Sequence, residues 1–235
     1  MKCEIPECGA DLVPTGIVAG RQLYEPCERC ALRRKDVEAS ACNERWVSTR
    51  DAAFVEQRLM IPPQYTGACL SELPVPLEMA LKDVADLDQG CVGILGPCGT
   101  GKTRALRAVQ LRAWARKGTD WESTVRYYTA PDLAIRLKAI SWNSVSDLGR
   151  ELSALTRGSG TLLLDDLGSG STSNEMFGLI AQVIDGRDMW DRAMVVASNL
   201  TLAQISDLDD RVASRLSRGK VFTLDGEDYR LKGAK

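Results

Sequence analysis

The sequence predicts an α/β protein, with helices flanking a parallel sheet, preceded by a small cysteine-rich segment. Apolar runs of strand length alternate with helical patterns over most of the 235 residues, as a parallel sheet with crossover helices requires. A glycine-rich loop typical of phosphate binding lies between one such run and one such helix. Two close cysteine pairs distinguish the first 34 residues from the rest.

The predicted strands are short apolar runs bounded by turn residues. They cover residues 91–95, 124–129, 161–165, 193–198 and 220–224. The predicted helices have apolar residues at helical spacing, and they cover residues 76–87, 102–117, 131–140, 145–156, 174–188 and 207–218.

The chain is expected to have three parts. Residues 1–34 form the cysteine-rich domain, residues 35–60 a helical linker, and residues 61–235 the α/β domain. Pro62 and Pro63 mark the last boundary, because proline cannot continue a helix.

Composition limits the classes of function. The 30 basic and 32 acidic residues give a net charge of −2, so any contact with DNA requires a local basic patch. We expect a cytoplasmic protein without a membrane partner, because the N-terminus lacks the apolar core of a signal peptide and no apolar run approaches the ~20 residues of a membrane span. The absence of histidine excludes every mechanism that needs a histidine base.

Residues 96–103 read Gly-Pro-Cys-Gly-Thr-Gly-Lys-Thr, a complete G-x-x-x-x-G-K-[ST] phosphate-binding loop. Its glycines permit a backbone whose N–H groups point at phosphate oxygens beside a helix N-terminus. Lys102 is expected to reach the β- and γ-phosphates, and the Thr103 hydroxyl to ligate Mg²⁺. The alternative is a glycine-rich turn that merely precedes a helix. The candidate nucleotide-binding residues of this loop are Gly96, Pro97, Cys98, Gly99, Thr100, Gly101, Lys102, Thr103 and Arg104.

Polar residues end two later strands. Asp165 and Asp166 follow an apolar run roughly sixty residues after the loop. Asp165 is expected to hold Mg²⁺ through water, and Asp166 to orient the attacking water. The alternative is a solvated turn at the end of a strand. Asn199 follows another buried strand, where it either contacts the γ-phosphate or attacking water, or caps the next helix.

Three arginines share one face of a predicted helix. Arg211, Arg215 and Arg218 are spaced by four and three residues. One interpretation is a solvated basic face paired with aspartates. The other is an arginine finger supplied to the ATP of a neighbouring subunit.

The N-terminal cysteines form the pairs Cys3/Cys8 and Cys27/Cys30, separated by eighteen residues. Two close thiolate pairs can complete a tetrahedral Zn²⁺ site that stabilises a segment too small to bury its own core. The sequence therefore predicts a Cys₄ zinc ribbon, although the first spacing is wider than usual. The alternative is four free or buried cysteines.

Two stretches combine cations or aromatics in ways that suit single-stranded DNA, which is bound by phosphate contacts and base stacking. The alternative for each stretch is a solvated helix face or a set of core aromatics. The first stretch contains Arg104, Arg107, Arg112, Arg116 and Lys117, and the second contains Arg126, Tyr127, Tyr128, Arg136, Lys138 and Trp142.

Residues 58–230 resemble the AAA+ ATPases of the DnaC/IstB type. The loop at 96–103, the Asp165-Asp166-Leu-Gly segment, Ser198-Asn199 and the Arg211-Val-Ala-Ser-Arg215-Leu box occur in that family's order. The resemblance implies an AAA+ P-loop core with a reduced or absent C-terminal lid, which hydrolyses ATP with Mg²⁺. It implies catalytic roles for Lys102, Asp166, Asn199 and Arg215.

The resemblance also implies partners. DnaC-like members bind a replicative DNA helicase and help to place it on single-stranded DNA. They self-associate into a ring or spiral, in which Arg215 of one subunit would meet the ATP of the next. The alternative within the family is an IstB-like transposition helper that arranges target DNA for a transposase; the cysteine-rich segment favours the loader. Two further alternatives are a small-metabolite kinase and a zinc-containing adaptor that uses ATP only as a switch.

Overall fold

The computed structural model describes residues 14–18, 21–24, 60–87, 89–117, 125–169 and 174–226. In the first part of the chain, β1 (Pro14–Val18) and β2 (Arg21–Tyr24) form an antiparallel pair. This pair lies in the sequence between the two cysteine pairs. The four predicted zinc ligands and the predicted linker helix up to residue 59 lie outside the described residues.

A five-stranded parallel sheet forms the centre of the molecule, in the order β4-β5-β6-β3-β7. All five predicted strands are confirmed, with ends within two residues of the predicted ones. The strands are β3 (Cys91–Leu95), β4 (Val125–Thr129), β5 (Thr161–Leu167), β6 (Met194–Ser198) and β7 (Lys220–Thr223).

Seven α-helices connect and cover these strands in the described residues, together with short 3₁₀ turns at Pro63–Tyr65 and Leu70–Glu72. None of these helices has the length and apolar character needed to cross a membrane. The helices are α1 (Val75–Leu87), α2 (Lys102–Lys117), α3 (Ala130–Asn143), α4 (Val145–Arg157), α5 (Asn174–Met189), α6 (Leu202–Leu208) and α7 (Asp210–Arg218).

The prediction of one continuous helix over 207–218 was wrong. The chain leaves the helical conformation at Asp209, which has φ −162° and ψ 110°. The Asp209 carboxylate accepts hydrogen bonds from the backbone N–H groups of Arg211 and Val212, at 2.9 and 3.4 Å. A side chain that caps one helix in this way interrupts the preceding one, so α6 and α7 are separate.

Helices cover both faces of the sheet, and successive strand residues alternate between two apolar clusters. Leu163 of β5 packs in the cluster formed with α1 and α2. Its neighbours Leu162 and Leu164 pack in the other cluster, with α3, α5 and α7. Burial on both sides explains why the central strands β3, β5 and β6 are apolar runs, whereas the edge strands β4 and β7 are mixed in sequence.

Arg187 of α5 joins three segments at the amino edge of the sheet. It is only 2% exposed and donates to the carbonyl oxygens of Leu155, Gly160 and Ala193. A buried cation is tolerated when its donors are satisfied in this way. This edge is therefore closed by hydrogen bonds, on the side away from the phosphate-binding loop.

Candidate functional site

The predicted site residues converge on the carboxyl edge of the sheet. The phosphate-binding loop follows β3, Asn199 follows β6, and Asp165 and Asp166 lie near the end of β5. Strands β3, β6 and β5 are neighbours, so these three segments lie side by side. Because β3 is followed in the chain by a strand on the far side of β6, this edge has the crevice in which open α/β sheets bind ligands.

The phosphate-binding loop has a backbone that requires glycine at its first position. Gly96 has φ 141°, and an added Cβ would lie 2.2 Å from the carbonyl oxygen of Leu224. Leu224 in turn donates its N–H to the Leu95 carbonyl at 2.8 Å. Leu224, the residue after β7, therefore packs against the start of the loop. A side chain at Gly96 would push Leu224 and the loop apart.

Lys102 is folded into the loop. Its ammonium donates to the carbonyl oxygens of Gly96 and Pro97, at 2.7 and 2.6 Å, and the residue is only 5% exposed. The Thr100 hydroxyl also donates to Pro97, at 2.9 Å. Thr103 follows on the first turn of α2, partly buried. The loop thus encloses a cation beside a helix N-terminus, which suits a phosphate group.

The side chain of Arg104 points away from the loop, and its predicted role in nucleotide binding stays a prediction. It forms a bidentate ion pair with Glu72, with nitrogen–oxygen distances of 2.7 and 2.9 Å, and donates to the Gly67 carbonyl at 3.1 Å. The hydrogen bond to Glu72 raises the pKa of Arg104. Arg104 therefore links the segment after Ile61 to α2, and a contact of this residue with DNA stays a prediction.

Asp165 and Asp166 form a β-bulge. Leu164 pairs with Val196 and Leu167 with Ser198, so two residues of β5 face one residue of β6. Asp166 has φ 55°, a conformation that non-glycine residues rarely adopt. A bulge changes the direction of the side chains that follow it and is common beside active sites. Here it places one carboxylate in the core and leaves the next one partly exposed.

The Asp165 carboxylate is held by two donors. The residue is 1% exposed; its Oδ2 accepts from the Tyr127 hydroxyl at 2.8 Å, and its Oδ1 accepts from the N–H of Asp166 at 2.9 Å. Sequence reasoning missed this contact, because it considered Tyr127 only as a possible DNA contact or as a core aromatic. The one usable signal was its place on the strand next to β5.

Arg107 lies in the interior, which favours the alternative to DNA binding for this residue. It is 8% exposed, its guanidinium carbon lies 3.3 Å from the centre of the Tyr127 ring, and it donates to the Gln110 side chain at 2.9 Å. Burial lowers the pKa of Arg107. Burial and the charge of Asp165 raise the pKa of Tyr127. These two residues form part of the interior beneath the site.

Ser198 fixes the end of β6. Its hydroxyl is buried, donates to the Leu167 carbonyl at 2.6 Å and accepts from the Leu200 N–H at 3.0 Å. Asn199 lies between these anchored residues and is partly exposed. The backbone of Asn199 is therefore fixed on both sides. Its contact with phosphate or water stays a prediction.

The arginines of α7 are paired with aspartates of the same chain. Arg215 contacts Asp185 at 2.7 Å and Asp188 at 3.3 Å, and Arg218 contacts Asp188 at 3.0 Å. Arg211 forms a bidentate pair with Asp209, at 3.2 and 2.9 Å. These hydrogen bonds raise the pKa of Arg211 and of Arg215. The pairing agrees with the first interpretation of these arginines, and a finger in trans stays a prediction.

Three of the remaining DNA candidates, Arg136, Lys138 and Trp142, lie on α3. Lys138 pairs with Glu175 at 2.9 Å, and its ammonium lies 5.4 Å from the centre of the Trp142 ring. Trp142 is 76% exposed. Arg136 pairs with Glu151 at 2.9 Å. A cation beside an exposed indole is compatible with stacking on single-stranded DNA, and this role stays a prediction.

Zinc binding is not tested by the described residues. Within them, no three cysteine, aspartate or glutamate side chains cluster as a metal site, and Cys3, Cys8, Cys27 and Cys30 lie outside. Of the other cysteines, Cys69 and Cys91 are partly buried and Cys98 is exposed in the phosphate-binding loop. Burial raises the pKa of Cys91 to about 12, as expected for a packed thiol.

The chain was compared with known proteins. Residues 78–235 match the family model described as "IstB-like ATP binding protein". The chromosomal replication initiator protein DnaA of Ruegeria sp. (strain TM1040) is 29% identical over 144 residues, which are 59% of this chain and 28% of that protein. The chain thus matches less than a third of the length of this curated relative.

Two solved structures share the fold. A replication initiator DnaA bound to AMPPCP and single-stranded DNA is 19% identical, with a TM-score of 0.56, over 70% of this chain and 52% of that chain. A DnaC helicase loader is 19% identical, with a TM-score of 0.55, over 69% of this chain and 99% of that chain. Identities at this level indicate a common fold.

Proposed function

Because the chain belongs to the family of IstB-like ATP binding proteins, we propose that it hydrolyses ATP and uses this reaction to load a replicative helicase onto DNA. The family match and the shared fold confirm the predicted AAA+ nucleotide-binding core. The single observation that carries the proposal is the placement of the phosphate-binding loop, Asp165 and Asp166 on neighbouring carboxyl ends of one parallel sheet.

The residues present fit a magnesium–ATP complex. Lys102, enclosed by the loop, would turn from the carbonyl oxygens of Gly96 and Pro97 to the phosphates. Thr103 and Asp165 offer hydroxyl and carboxylate oxygens, the ligands that Mg²⁺ prefers. Mg²⁺ held there would neutralise charge on the phosphate oxygens.

Asp166 and Asn199 would position the attacking water. Asp166 is partly exposed and turned by the bulge out of the alternation of β5, so its carboxylate is able to orient water and accept its proton. Asn199 lies beside it at the end of β6, where its amide would hold the water or the γ-phosphate. Neither role needs a histidine, which this chain lacks.

The hydrolysis is proposed to require two subunits. Arg215 would leave Asp185 and Asp188 and stabilise the charge on the transferring phosphate of the neighbouring subunit. These ion pairs are partly exposed to solvent, and such pairs contribute little net stability. Exchange of an aspartate for a phosphate is therefore feasible at this position. The subunits would form a ring or spiral.

The loader function has two supports. The first is a domain order of a cysteine-rich segment at 1–34, proposed to bind Zn²⁺ and to contact the helicase, and a linker at 35–60. The second is the similarity in fold to a DnaC helicase loader over almost the whole of that chain. The exposed Trp142 and the partly buried Lys138 beside it are the proposed contacts with single-stranded DNA, the ligand in the similar DnaA structure.

A second function is favoured by the family description itself. An IstB-like transposition helper would use the same ATPase core to arrange target DNA for a transposase. The two functions share every residue discussed above from 96 to 218. They differ in the partner protein.

A binding experiment with the full chain distinguishes these functions. The immobilised protein is mixed separately with a purified hexameric replicative helicase and with an IS21-type transposase, each with ATP and single-stranded DNA. We expect the helicase to be retained and the transposase not. The Lys102→Ala variant serves as the control for dependence on nucleotide. Retention of the transposase alone would replace the loader function by the second one.

A further inference from the structure

We propose that Tyr127 is a positioning residue for Asp165: its hydroxyl fixes the carboxylate in the orientation needed to hold the magnesium complex of ATP. Tyr127 lies on β4, two residues before the position that pairs with Asp165. The inference rests on the proposed ATP site and adds a residue outside the phosphate-binding loop and the two aspartates.

The two hydrogen bonds to Asp165 leave some acceptor directions of its carboxylate unoccupied. A carboxylate has about four acceptor directions. One Oδ2 direction is taken by the Tyr127 hydroxyl at 2.8 Å and one Oδ1 direction by the Asp166 N–H at 2.9 Å. The two donors fix the rotation of the carboxylate plane, so that its remaining directions have fixed orientations. A ligand oxygen held by other hydrogen bonds binds a metal with less loss of freedom.

Tyr127 is itself held from the opposite side. The Arg107 guanidinium stacks on its ring, with a distance of 3.3 Å from the guanidinium carbon to the ring centre. Arg107 projects from α2, the helix that begins in the phosphate-binding loop. Tyr127 is therefore held to α2 through its ring and to β5 through its hydroxyl.

Arg107 also supplies charge. It is 8% exposed, and it donates to the Gln110 side chain at 2.9 Å. Its charge also acts on Tyr127 and Asp165 through space, where screening by water is weak.

The test is the Tyr127→Phe variant of the full chain. It removes the hydroxyl and keeps the ring on which Arg107 stacks. Binding of a fluorescent ATP analogue is titrated first without divalent ions and then at fixed nucleotide with rising MgCl₂. Tyr128→Phe is the matched control, because Tyr128 is the neighbouring tyrosine on the same strand and lies near Arg136, 5.9 Å from ring centre to guanidinium carbon.

We expect Tyr127→Phe to raise the MgCl₂ concentration at half-effect by about 10-fold, the usual consequence of removing a partner that orients a metal ligand. Affinity without Mg²⁺ and the melting temperature should remain close to those of the control. A shift in the MgCl₂ titration alone indicates that Tyr127 positions Asp165. A general loss of stability would instead change both titrations.

Two results would overturn the inference in distinguishable ways. Equal MgCl₂ dependence in wild type, Tyr127→Phe and Tyr128→Phe would show that the hydroxyl only satisfies a buried carboxylate, while the ATP site stands. Absence of any MgCl₂ effect in the wild type would contradict the proposed magnesium–ATP site and the role of Tyr127 with it. A parallel Arg107→Lys variant is expected to give a smaller shift in the same direction.

Discussion

The charged groups in two regions of the molecule have different kinds of partner. One region is the phosphate-binding loop together with Asp165 and Asp166 of β5. The other is the arginine face of α7, which carries Arg211, Arg215 and Arg218. Lys102 donates to backbone carbonyls, and Asp165 accepts from a hydroxyl and an N–H. Arg215, in contrast, is paired with two carboxylates of its own chain. Neutral partners orient a charge without cancelling it, whereas opposite charges cancel it. The phosphate-binding loop and its neighbouring aspartates can therefore bind a ligand within one chain. Arg215 must first leave Asp185 and Asp188 before it can contact a phosphate.

The largest expected effect is at Lys102. Lys102→Ala removes the cation enclosed by the loop, and we expect ATP binding and hydrolysis to fall below detection in equilibrium binding and phosphate-release assays. Lys220→Ala is the control, because Lys220 pairs with Asp83 at 3.2 Å on the edge of the sheet. Normal hydrolysis by the Lys102→Ala variant would contradict the proposed role of Lys102 in binding the phosphates of ATP.

Arg215 is expected to come next. Arg215→Ala should reduce hydrolysis by about a thousandfold, the low end of arginine-finger effects, while ATP still binds. Arg218→Ala is the matched control, since Arg218 shares Asp188 with Arg215. Equal, small losses in both variants would show that the arginine face of α7 serves only the stability of the chain.

Asp166 should have a smaller effect than Arg215. Asp166→Asn keeps the size of the side chain and removes its basicity, so hydrolysis is expected to fall by about a hundredfold. Nucleotide affinity should remain at the wild-type value in the same binding assay. Loss of affinity together with activity would instead indicate that the bulge at Asp165 and Asp166 had rearranged.

The cysteine-rich segment should have the smallest effect on hydrolysis. We expect elemental analysis to find about one zinc ion per chain, and Cys27→Ser with Cys30→Ser to lose it. Hydrolysis by the isolated protein should change little, while retention of the helicase should fall. A folded, metal-free wild-type protein would contradict the zinc ribbon.

The sequence predicted the three central strands, β3, β5 and β6, because they are buried on both faces and appear as apolar runs. It placed Lys102, Asp165 and Asn199 at one edge because parallel strands end together. It failed where the outcome depended on side-chain direction. Spacing left a DNA surface and the core open for Arg107 and Tyr127, and the structure buries Arg107 and partly buries Tyr127. Asp209 was assigned to a helix, and its carboxylate instead caps the start of α7.

Two other features also lay beyond sequence patterns. The bulge at Asp165 and Asp166 depends on the pairing with β6, which one strand cannot reveal. The contact of Arg104 with Glu72 joins positions thirty-two residues apart. Both are tertiary effects that local spacing does not encode.

The proposed active site combines the enclosed lysine and the aspartates of one subunit with the arginine of its neighbour. Mixing Arg215→Ala with Asp166→Asn tests this division directly, because some interfaces in a mixed oligomer then combine an intact Asp166 with an intact Arg215. Hydrolysis is measured across mixing ratios with single-stranded DNA present. We expect a maximum near equal amounts, with activity well above either variant alone. A value equal to the weighted mean of the two variants at every ratio would contradict it.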